Sequence, residues 1–550
     1  MSKKLKDRKL REWRKKATAG AGEAEIPTEE VRDESTSLVV PTAPPLPLGQ
    51  RIESMVIPLA LLVLMLVLTF RPITQNDFWM HLRIGEDILD TWQIPHADQY
   101  SAVAQGRPFV AHEWLSGVFL ALVGAAFGPH GFTLMAELVA FGMAALLFFS
   151  LPKPVRESPI LLPLGLVAVY TADFRLAIRP DLFTMLLLAV WAFCIERWRA
   201  SRNVYFIAAL VPLITVWANL HGAFLFGVAL LVVLAALVGA DQLLGGVQRT
   251  GEQYSRGDFK TVALVAGLGI VACLFNPQGW NLPLFSLQMT AGQNFEQVRA
   301  VTEWQPTFDS TSYFYQNFPY LVYGCGVWLL MLWSGLLLRF FEVPLFDWVI
   351  AGITTYLSVH QNRFIPYASI FGFPIAMRSW YALLEQNGAG LHHALSKSRI
   401  FKAASLLLIG AAIVVFVKRG FLLSDTQSQP LGWGYGSRHP EQEVDYIKQQ
   451  GLQGVLYNER MPDGAYLIRE LYPQVRPVMD MRLDVYGKEL CDEYDATKSN
   501  RDALNQYIQK YGATLALVNK GGWIEDHLRR ALGFSTVYEG AERSVMVKRW

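Results

Sequence analysis

Long stretches without charge recur along this 550-residue sequence and constrain its fold more than any other feature. Apolar runs of about 15 to 20 residues recur from Ser54 to Val417, close to the length that a helix needs to cross roughly 30 Å of hydrocarbon. Charged residues make up only 17% of the chain, against about 25% in soluble globular proteins. The mean hydropathy is +0.24. An ordinary soluble enzyme is excluded, and the sequence predicts a polytopic membrane protein.

The apolar runs predict twelve membrane spans, to within one. Basic residues near the ends of spans mark the cytoplasmic side, and clusters of this kind occur at Lys153/Arg156, Arg197–Arg202, Arg249–Lys260 and Lys397–Lys402. Counting spans forward from the N-terminus and back from the C-terminus assigns the connections to different sides of the membrane. The two counts differ by one crossing, and the difference lies within 114–150. Either one member of that hairpin is not a full span, or a further short helix lies nearby. The predicted spans are 54–70, 114–128, 131–150, 158–172, 180–197, 203–220, 222–240, 261–276, 318–338, 343–360, 364–384 and 401–418.

The N-terminal segment is strongly basic. Residues 1–16 hold nine Lys and Arg against Asp7 and Glu12. This pattern indicates a topology signal on a disordered cytoplasmic tail, residues 1–50, in preference to a patch for anionic lipid or nucleic acid. The first span starts too far from the N-terminus to be a signal peptide and is expected to remain as an anchor.

The composition becomes that of a soluble protein after Lys418. Short strand patterns (GVLYN, RPVMDM, TLALVN, SVMVK) alternate with helical spacing near 440–451, 500–511 and 523–532, which predicts a small α/β domain. The fold class is therefore mainly α: a transmembrane bundle of about 11 to 13 spans (51–420) with a C-terminal α/β domain (421–550). The span count places that domain outside the cytoplasm, together with a long first loop, 71–113.

The four cysteines give no metal or disulfide pattern. Cys194, Cys273 and Cys325 lie inside apolar spans and Cys491 is alone in the C-terminal region. Neither paired metal-ligand spacing nor a disulfide framework is indicated.

The first loop carries the strongest local motif, NDFWMHLRIGEDILDTW. If this segment is helical, Asp77 and His81 share one face, and a carboxylate beside an imidazole can act as a general base or hold a divalent cation. The alternative is a solvated interfacial helix in which Asp77 only caps the N-terminus. Asp98, in PHADQY, is interpreted as a turn residue or as a further site carboxylate.

The loop ends at FVAHEWLSG, where His112 and Glu113 enter the second apolar run. Ionisable groups at the mouth of a span are costly unless they are paired or functional. Asp77, His81, His112 and Glu113 therefore bracket one loop and could converge on one site, or the last two form a hydrated pair at the membrane boundary.

Further polar groups interrupt the apolar runs, and the span count places most of them on the outer side. Arg179 and Arg363 suit a phosphate, because guanidinium donates two parallel hydrogen bonds to its oxygens; the alternative is snorkelling at a span end. The other groups are Asp173, Arg175, Asn219, His221, Glu303, Gln305, His360, Gln361 and Asn362.

The soluble domain offers less chemistry. Asp463, Asp480, Arg482 and Asp484 stand out, but no Gly-rich phosphate loop, nucleophile elbow or Cys/His ligand set accompanies them. A structural or acceptor-binding domain is favoured over a second catalytic site.

Several motifs together resemble the GT-C superfamily of membrane glycosyltransferases. These are D-x-W-x-H-L-x-x-G, IPHADQYS, GRPFVAHEWL, RPDLFTMLLL, WANLHGAFL, NPQGW, EWQP and NRFIP. They are most similar to a bacterial group described as dolichyl-phosphate-mannose–protein-mannosyltransferase-like, and the resemblance runs over nearly the whole chain from residue 54. Two departures are present: His-Glu-Trp-Leu replaces a His-x-Pro-Pro-type motif, and Asp77 is followed by Phe78 where protein mannosyltransferases have an Asp-Glu pair.

The resemblance implies transfer of a sugar from a polyprenyl-phosphate carrier to a glycan, lipid or protein acceptor at the outer face of a bacterial inner membrane. Asp77 matches the acidic residue of the first loop, which acts as base or metal ligand; His81 and Glu113 are the other expected catalytic residues. His112, Arg179, His221 and Arg363 are the expected substrate-binding residues. Metal dependence varies in the superfamily, so a divalent cation stays open.

Two other functions fit the same pattern. A transporter or flippase would line its substrate path with these polar groups, although the sequence shows no repeated half. A non-catalytic scaffold of the cell envelope would use the C-terminal domain to bind partners. No nucleic-acid partner is expected.

Overall fold

The structure, a computed structural model, describes residues 48–173, 175–243, 254–291, 301–419, 421–424, 427–429, 431–436 and 439–549. Residues 52–550 form one compact unit. Residues 1–47 of the predicted cytoplasmic tail lie outside the described residues. The first helix begins at Leu48, within the range predicted as tail.

Apolar helices make up most of the chain, as predicted. Four of the described helices are long and apolar enough to cross a membrane by length and composition alone, and three shorter ones are also apolar. The helices of the bundle are Leu48–Thr69, Trp114–Ser150, Leu161–Asp173, Asp181–Ser201, Val204–Ala208, Leu210–Leu220, Phe224–Leu243, Arg256–Ala272, Pro319–Leu337, Leu345–His360, Ile365–Lys397 and Arg399–Arg419. Short helices in the connections are Lys153–Arg156, Asn281–Ala291 and Tyr313–Asn317, with 3₁₀ turns at Thr302–Trp304 and Asn362–Phe364.

Successive connections contact one another on alternate sides of the bundle. On one side, Arg179 bonds Asp77 and Asn362 bonds the carbonyl of Thr302. On the other side, Arg199 and Arg378 both bond Asp347, at 2.7 and 2.9 Å. The alternation means that each long helical segment runs from one side to the other.

The helix Trp114–Ser150 is the exception, because only part of it runs from one side of the bundle to the other. At Gly128 the backbone has φ +62° and ψ −158°, and Pro129 follows. A methyl group at Gly131 would lie 3.1 Å from the carbonyl oxygen of Val123, eight residues earlier, so the chain reverses here. Both ends of 114–128 lie on the side of the first loop, because Trp114 bonds Asn219 and His130 contacts Trp433.

The segment 114–128 therefore does not run across the bundle, and only 131–150 does. This accounts for the mismatch of one crossing in the sequence count. With the two short helices 204–208 and 210–220 counted as one segment, eleven segments of the described chain run from side to side. An odd number places Leu48 and Arg419, the first and last residues of these segments, on opposite sides of the bundle.

The first loop folds around a helix, Asp77–Thr91, which we call the loop helix. Its buried side carries Phe78, Trp79 and Leu82, and Trp92 ends it in the left-handed region. The loop helix touches 114–128 where Gly85 meets Gly117: a methyl group at Gly117 would lie 2.6 Å from the carbonyl of His81. Two glycines thus let two backbones meet directly.

The C-terminal domain contains a five-stranded mixed sheet, which confirms the predicted small α/β region. The strands are β3 (Gly454–Asn458), β4 (Val475–Pro477), β5 (Ala513–Asn519), β6 (Phe534–Glu539) and β7 (Arg543–Lys548), in the order β4-β3-β5-β7-β6; a separate antiparallel pair, β1 (Phe421–Ser424) and β2 (Gln427–Gln429), precedes them. β3 is parallel to β4 and β5, and β7 is antiparallel to β5 and β6. The surrounding helices are Glu441–Gln449, Asp463–Leu471, Leu483–Ala496, Arg501–Lys510 and Trp523–Ala531.

This domain is docked on the first loop by buried polar contacts. The Arg482 guanidinium donates to Asp98 at 2.7 Å and also to Asp480. The Trp79 indole donates to His439 at 3.0 Å. Buried charged groups of this kind are stable only when paired, so the two parts fit in one specific arrangement.

Candidate active site

The polar residues that interrupt the apolar runs meet at one end of the bundle. They come from the loop helix, the residues before Trp114, the connection 175–181, the turn after Leu220, the segment 301–305 and the 3₁₀ turn Asn362–Phe364. Each of these lies at the end of an apolar helix or in a connection, so the helices themselves bring the polar groups together. All seven predicted site residues are in this region.

Two arginines and three carboxylates form the first half of the site. Arg179 lies 3.4 Å from Asp77 and 2.6 Å from Glu303. Arg175 lies 2.6 Å from the other oxygen of Glu303 and 2.5 Å from Asp181. Asp77 and Glu303 are the more accessible members, with 32% and 28% of their side chains exposed against 9% for Arg179. The network thus fixes one oxygen of Asp77 and leaves the group open to a ligand.

Ionisation of this half is enforced by charge. Burial would raise the pKa of Glu303, but Arg175 and Arg179 hold it well below its usual range. Burial would likewise lower the pKa of Arg179, and Glu303, Asp77 and Asp181 raise it instead. Both groups therefore carry their charges at any physiological pH.

Three imidazoles surround Glu113 in the second half of the site. His81 and His221 each lie 3.2 Å from a different oxygen of this carboxylate, and His112 lies 3.6 Å away. Burial alone would raise the pKa of Glu113, whereas the three imidazoles lower it. Glu113 is therefore an ionised hydrogen-bond acceptor that orients its imidazole neighbours.

The hydrogen bonds of His221 assign its tautomer. The Trp217 indole donates to Thr184 at 2.9 Å, so the Thr184 hydroxyl can donate to Nδ1 of His221 at 3.0 Å. The Ala223 N–H also points to Nδ1, at 3.2 Å. Nδ1 is thus the acceptor, and Nε2 carries the proton that is directed at Glu113. Burial lowers the pKa of His221 to about 4, so the ring is neutral near pH 7.

Asp181 joins the two halves and was missed as a site residue by the sequence reasoning. Its carboxylate contacts Arg175 at 2.5 Å on one side and lies 3.7 Å from Nε2 of His221 on the other. The available signal was its place in RPDLF, directly after Arg179 and Pro180 and at the first residue of a helix.

Arg363 faces the first half without an ion pair. Among the described residues it has no salt bridge and no hydrogen bond, and its guanidinium lies over the Trp304 ring, 4.4 Å from the centroid. Burial and the neighbouring Arg175 lower the pKa of Arg363, while Asp181 and Glu303 raise it. An arginine of this kind provides a positive charge that is not neutralised by a partner within 4 Å.

Other residues singled out from the sequence have structural contacts instead. Asp98 accepts backbone N–H groups from Tyr100 and Ser101, which fits the turn interpretation. Asp173 pairs with Arg71 at 3.1 Å. His360 contacts the carbonyl of Tyr356 on its own helix. Backbone and amide bonds tie Asn362 to Thr302 and Gln305, and Asn219 bonds Trp114 and the carbonyl of Phe275.

Among the described residues no assembled metal site is present. In the part of the chain that the structure describes, no group of three or more His, Cys, Asp or Glu has a metal-binding arrangement. The carboxylates of Asp77 and Glu113 are already directed at Arg179 and at imidazoles.

An apolar cavity of about 290 Å³ lies between the helices of the bundle. Its walls come from four of them and include Leu61, Phe148, Leu161 and Ile370. Ile370 belongs to the helix Ile365–Lys397, which begins directly after the turn that carries Arg363.

Solved structures share this fold, whereas no family model and no curated protein matches the sequence. The archaeal oligosaccharyltransferase AglB from Archaeoglobus fulgidus, in complex with an inhibitory peptide and a dolichol-phosphate, aligns at 13% identity and a TM-score of 0.52, over 86% of this chain and 70% of that one. The same enzyme tethered to an acceptor peptide aligns at 13% identity and a TM-score of 0.51, over 90% of this chain and 74% of that one. ArnT from Cupriavidus metallidurans in the apo state aligns at 15% identity and a TM-score of 0.49, over 90% of this chain and 98% of that one.

The two oligosaccharyltransferase structures, with TM-scores of 0.52 and 0.51, define the class of fold. The chain has the GT-C fold of polytopic membrane proteins, and the resemblance predicted from its sequence motifs is confirmed at that level.

Proposed function

We propose that the protein is a membrane glycosyltransferase. It transfers a sugar from a polyprenyl-phosphate carrier to an acceptor at the outer face of a bacterial inner membrane. The fold supports the class of enzyme, and the two-part charged site supports the chemistry.

The observation that carries the proposal is Arg363. A guanidinium that is mostly removed from water and lacks a carboxylate partner is costly unless a ligand supplies the anion. A phosphate matches its planar donors. The Trp304 ring lies against one face of the Arg363 guanidinium as a cation–π contact. The donors on the edge of the guanidinium are therefore left for the ligand. Arg179, with its remaining donors, would hold the same phosphate from the Asp77 side.

Asp77 is the proposed base. Its partly exposed carboxylate takes the proton of an acceptor hydroxyl while the hydroxyl oxygen forms a bond to the anomeric carbon of the sugar. The bond from this carbon to the phosphate oxygen breaks, and the electron pair leaves with the polyprenyl phosphate. Arg363 and Arg179 stabilise the negative charge that develops there.

The Glu113 cluster has a positioning role in this proposal. Neutral His221 and ionised Glu113 fix each other, and Glu113 in turn orients His81, one helical turn after Asp77. Nε2 of His81 is directed at Glu113, which leaves Nδ1 of His81 for a hydrogen bond with the acceptor. Preorganised groups of this type cost no reorganisation during the reaction.

The architecture suits a lipid-linked donor. Its head group reacts at the end of the bundle, where the charged residues lie, and its chain stays in hydrocarbon. The apolar cavity that Ile370 helps to line provides an apolar surface against which such a chain can lie. With eleven crossings and a basic N-terminal segment in the cytoplasm, the site and the C-terminal domain lie outside.

The test is a comparison of envelope glycans and glycoproteins by mass spectrometry in wild-type, deletion and Asp77→Asn cells. Asp77→Asn removes the base while it keeps the size of the side chain, so the sugar mass lost in the deletion strain should be lost here as well. Asp90→Asn is the matched control, because Asp90 is an exposed carboxylate on the same helix. It should restore the wild-type profile.

A second arm measures donor binding by purified protein, with undecaprenyl phosphate as the probe. Arg363→Gln should weaken binding by at least tenfold, whereas Arg530→Gln, at a guanidinium with 80% exposure, should not. A glycan profile that is unchanged in the deletion strain would contradict the proposal and favour the transporter or the scaffold. A deletion phenotype that Asp77→Asn fully rescues would contradict the role of Asp77.

A further inference from the structure

An arginine lies at the wall of the apolar cavity, on the side of the bundle opposite to the first loop. Arg156 ends the short helix Lys153–Arg156, which directly follows the crossing segment 131–150. Its guanidinium carbon lies 5.1 Å from the centroid of the Phe148 ring and 4.9 Å from that of Phe149. Both phenylalanines line the cavity. The cation is therefore placed at one end of the cavity by direct contact with its wall.

The guanidinium of Arg156 has no partner in the part of the chain that the structure describes. It makes no hydrogen bond and no ion pair within 4 Å, and its Nε is buried without an acceptor. The next residue, Glu157, is only partly exposed and does not pair with it. A partly buried cation with an unused donor is costly unless a ligand supplies the anion.

Contacts on both sides along the chain hold Arg156 in place. The side chain of Val155, one residue earlier, is buried. Two residues later, the buried hydroxyl of Ser158 is hydrogen-bonded to Nε2 of His392 at 3.0 Å. The guanidinium is thus fixed beside the two phenylalanine rings, and its planar donors match the oxygens of a phosphate.

The cavity is suited to hydrocarbon and opens toward the lipid. Its lining residues are all apolar except Ser369, whose hydroxyl is bonded to that of Thr171 at 2.6 Å. Three of them, Leu59, Phe141 and Phe149, remain about half exposed. These residues belong to the first two crossing helices, so the cavity is open between them. An apolar opening between crossing helices faces the hydrocarbon of the bilayer.

The two ends of the cavity lie near different arginines. Ile370, at one end, is seven residues after Arg363, whereas Leu161, at the other end, is five residues after Arg156. The lining residues of the helix that begins at Leu161 extend to Ala172. This distance is about 16 Å at 1.5 Å per residue. One phosphate cannot contact both guanidinium groups, so the anion that Arg156 lacks is not the head group of a donor held by Arg363.

We propose that the cavity binds an anionic phospholipid, with the phosphate on Arg156 and one acyl chain between the helices. The topology proposed for the chain places Arg156 at the cytoplasmic leaflet, where anionic lipids create a negative surface potential. Lys153, exposed and three residues earlier on the same short helix, adds a second positive charge near the head group. This lipid is a structural ligand that is distinct from the sugar donor.

The experiment counts lipids bound to purified full-length protein in neutral detergent by native mass spectrometry. The probes are dioleoyl phosphatidylglycerol and dioleoyl phosphatidylcholine, which share their acyl chains and differ in the charge of the head group. Wild type should bind the anionic lipid at least tenfold more tightly. Arg156→Gln should reduce this preference to within about twofold, and Arg156→Lys should keep part of it.

Arg256→Gln is the matched control for the loss of charge. Arg256 is an exposed arginine at the start of the helix Arg256–Ala272 and does not line the cavity. Phe275, just after the other end of this helix, bonds Asn219 on the side of the first loop, so Arg256 lies on the same side as Arg156. The lipid preference of Arg256→Gln should equal that of wild type.

Ala144→Phe tests the binding of the acyl chain. Ala144 lines the cavity and is only partly exposed, so a phenyl ring there should occupy the space of the chain. Binding of both lipids at this site should weaken at least severalfold. An excess of glycerol 1-phosphate should not displace the lipid from wild type, because it carries the anion without the chain.

An unchanged preference for the anionic lipid in Arg156→Gln protein would overturn the proposal. Displacement by glycerol 1-phosphate would also overturn it and indicate a site for free phosphate. If Arg156→Gln weakens the binding of undecaprenyl phosphate as much as Arg363→Gln does, the donor occupies the cavity and the phospholipid does not. If Arg156→Gln and Arg156→Lys both lower the thermal midpoint in lipid-free detergent by more than a few degrees, Arg156 acts on folding instead.

Discussion

Charges in the site are buried in pairs whose members are far apart in sequence. Arg179 pairs with Asp77, which is 102 residues away in the sequence, and with Glu303, which is more than a hundred residues away. Isolated charges at this depth would cost several kcal/mol each, and removing one partner of a buried pair leaves the other uncompensated. The partly exposed carboxylate of Asp77 remains open to a ligand, as does the guanidinium of Arg363, which has no ion pair among the described residues.

His221 gives a pH-dependent prediction at the residue scale. Its pKa is about 4 in the folded protein and about 6.5 in an unfolded chain. Between these values the unfolded state binds more protons, so the free energy of unfolding falls as the pH drops below about 6.5, and the loss is complete below about 4. At pH 5 the loss from this group is about 2 kcal/mol.

The measurement is the thermal midpoint of purified protein in detergent between pH 7.5 and pH 4.5. Wild type should lose stability through this range, and His221→Gln, which cannot take up the proton, should show a smaller loss. His393→Gln is the comparison, because His393 is an exposed imidazole remote from the site. Parallel curves for wild type and His221→Gln would show that His221 does not set this dependence.

The contact between the loop helix and 114–128 is decided at the scale of elements. Gly85 and Gly117 let the two backbones touch, and a methyl group at Gly85 would overlap the carbonyl of Gly117. The loop helix carries Asp77 and His81, and 114–128 begins directly after Glu113. A shift between these two helices would therefore separate Asp77 from Glu113 and its imidazoles.

Gly85→Ala tests this contact. Overpacking of a close backbone contact costs about 1 to 3 kcal/mol, so we expect a lower thermal midpoint and a glycan product reduced at least severalfold. Gly267→Ala is the matched control, since Gly267 lies within a bundle helix and a methyl group there would meet nothing within 4 Å. A Gly85→Ala protein with wild-type stability and product would show that the two helices can separate without loss.

At the scale of the whole molecule, the reversal at Gly128 determines on which side the later connections lie. Because 114–128 stays on the side of the first loop, the C-terminal domain and that loop are on the same side and can dock through Arg482 and Asp98. A full crossing by 114–128 would place them on opposite sides.

Labelling with a membrane-impermeant maleimide checks this arrangement in cells, in a background without the native cysteines. Trp92→Cys and His130→Cys should react from the same side, because both positions are exposed and 114–128 does not cross. Lys153→Cys should react only after permeabilisation. If Trp92→Cys and Lys153→Cys react from the same side and His130→Cys does not, 114–128 is a full span.

The sequence alone determined the membrane class, the helical segments and the soluble C-terminal domain. Hydrophobicity is a property of each segment and needs no knowledge of its neighbours, so the apolar runs between Ser54 and Val417 could be read directly. Motifs such as NDFWMH and NRFIP also identified Asp77 and Arg363 as candidates. The strand Phe534–Glu539 and the helices Asp463–Leu471 and Leu483–Ala496 were not predicted, because their short patterns are ambiguous without the sheet they pack on.

Only the tertiary structure decided which polar groups meet. Asp181 joins Arg175 to His221, and Asp98 is used for docking. Each of these contacts depends on how helices separated by tens to hundreds of residues approach one another. Composition and spacing carry local preferences, whereas the pairing of buried charges is a property of the folded chain as a whole.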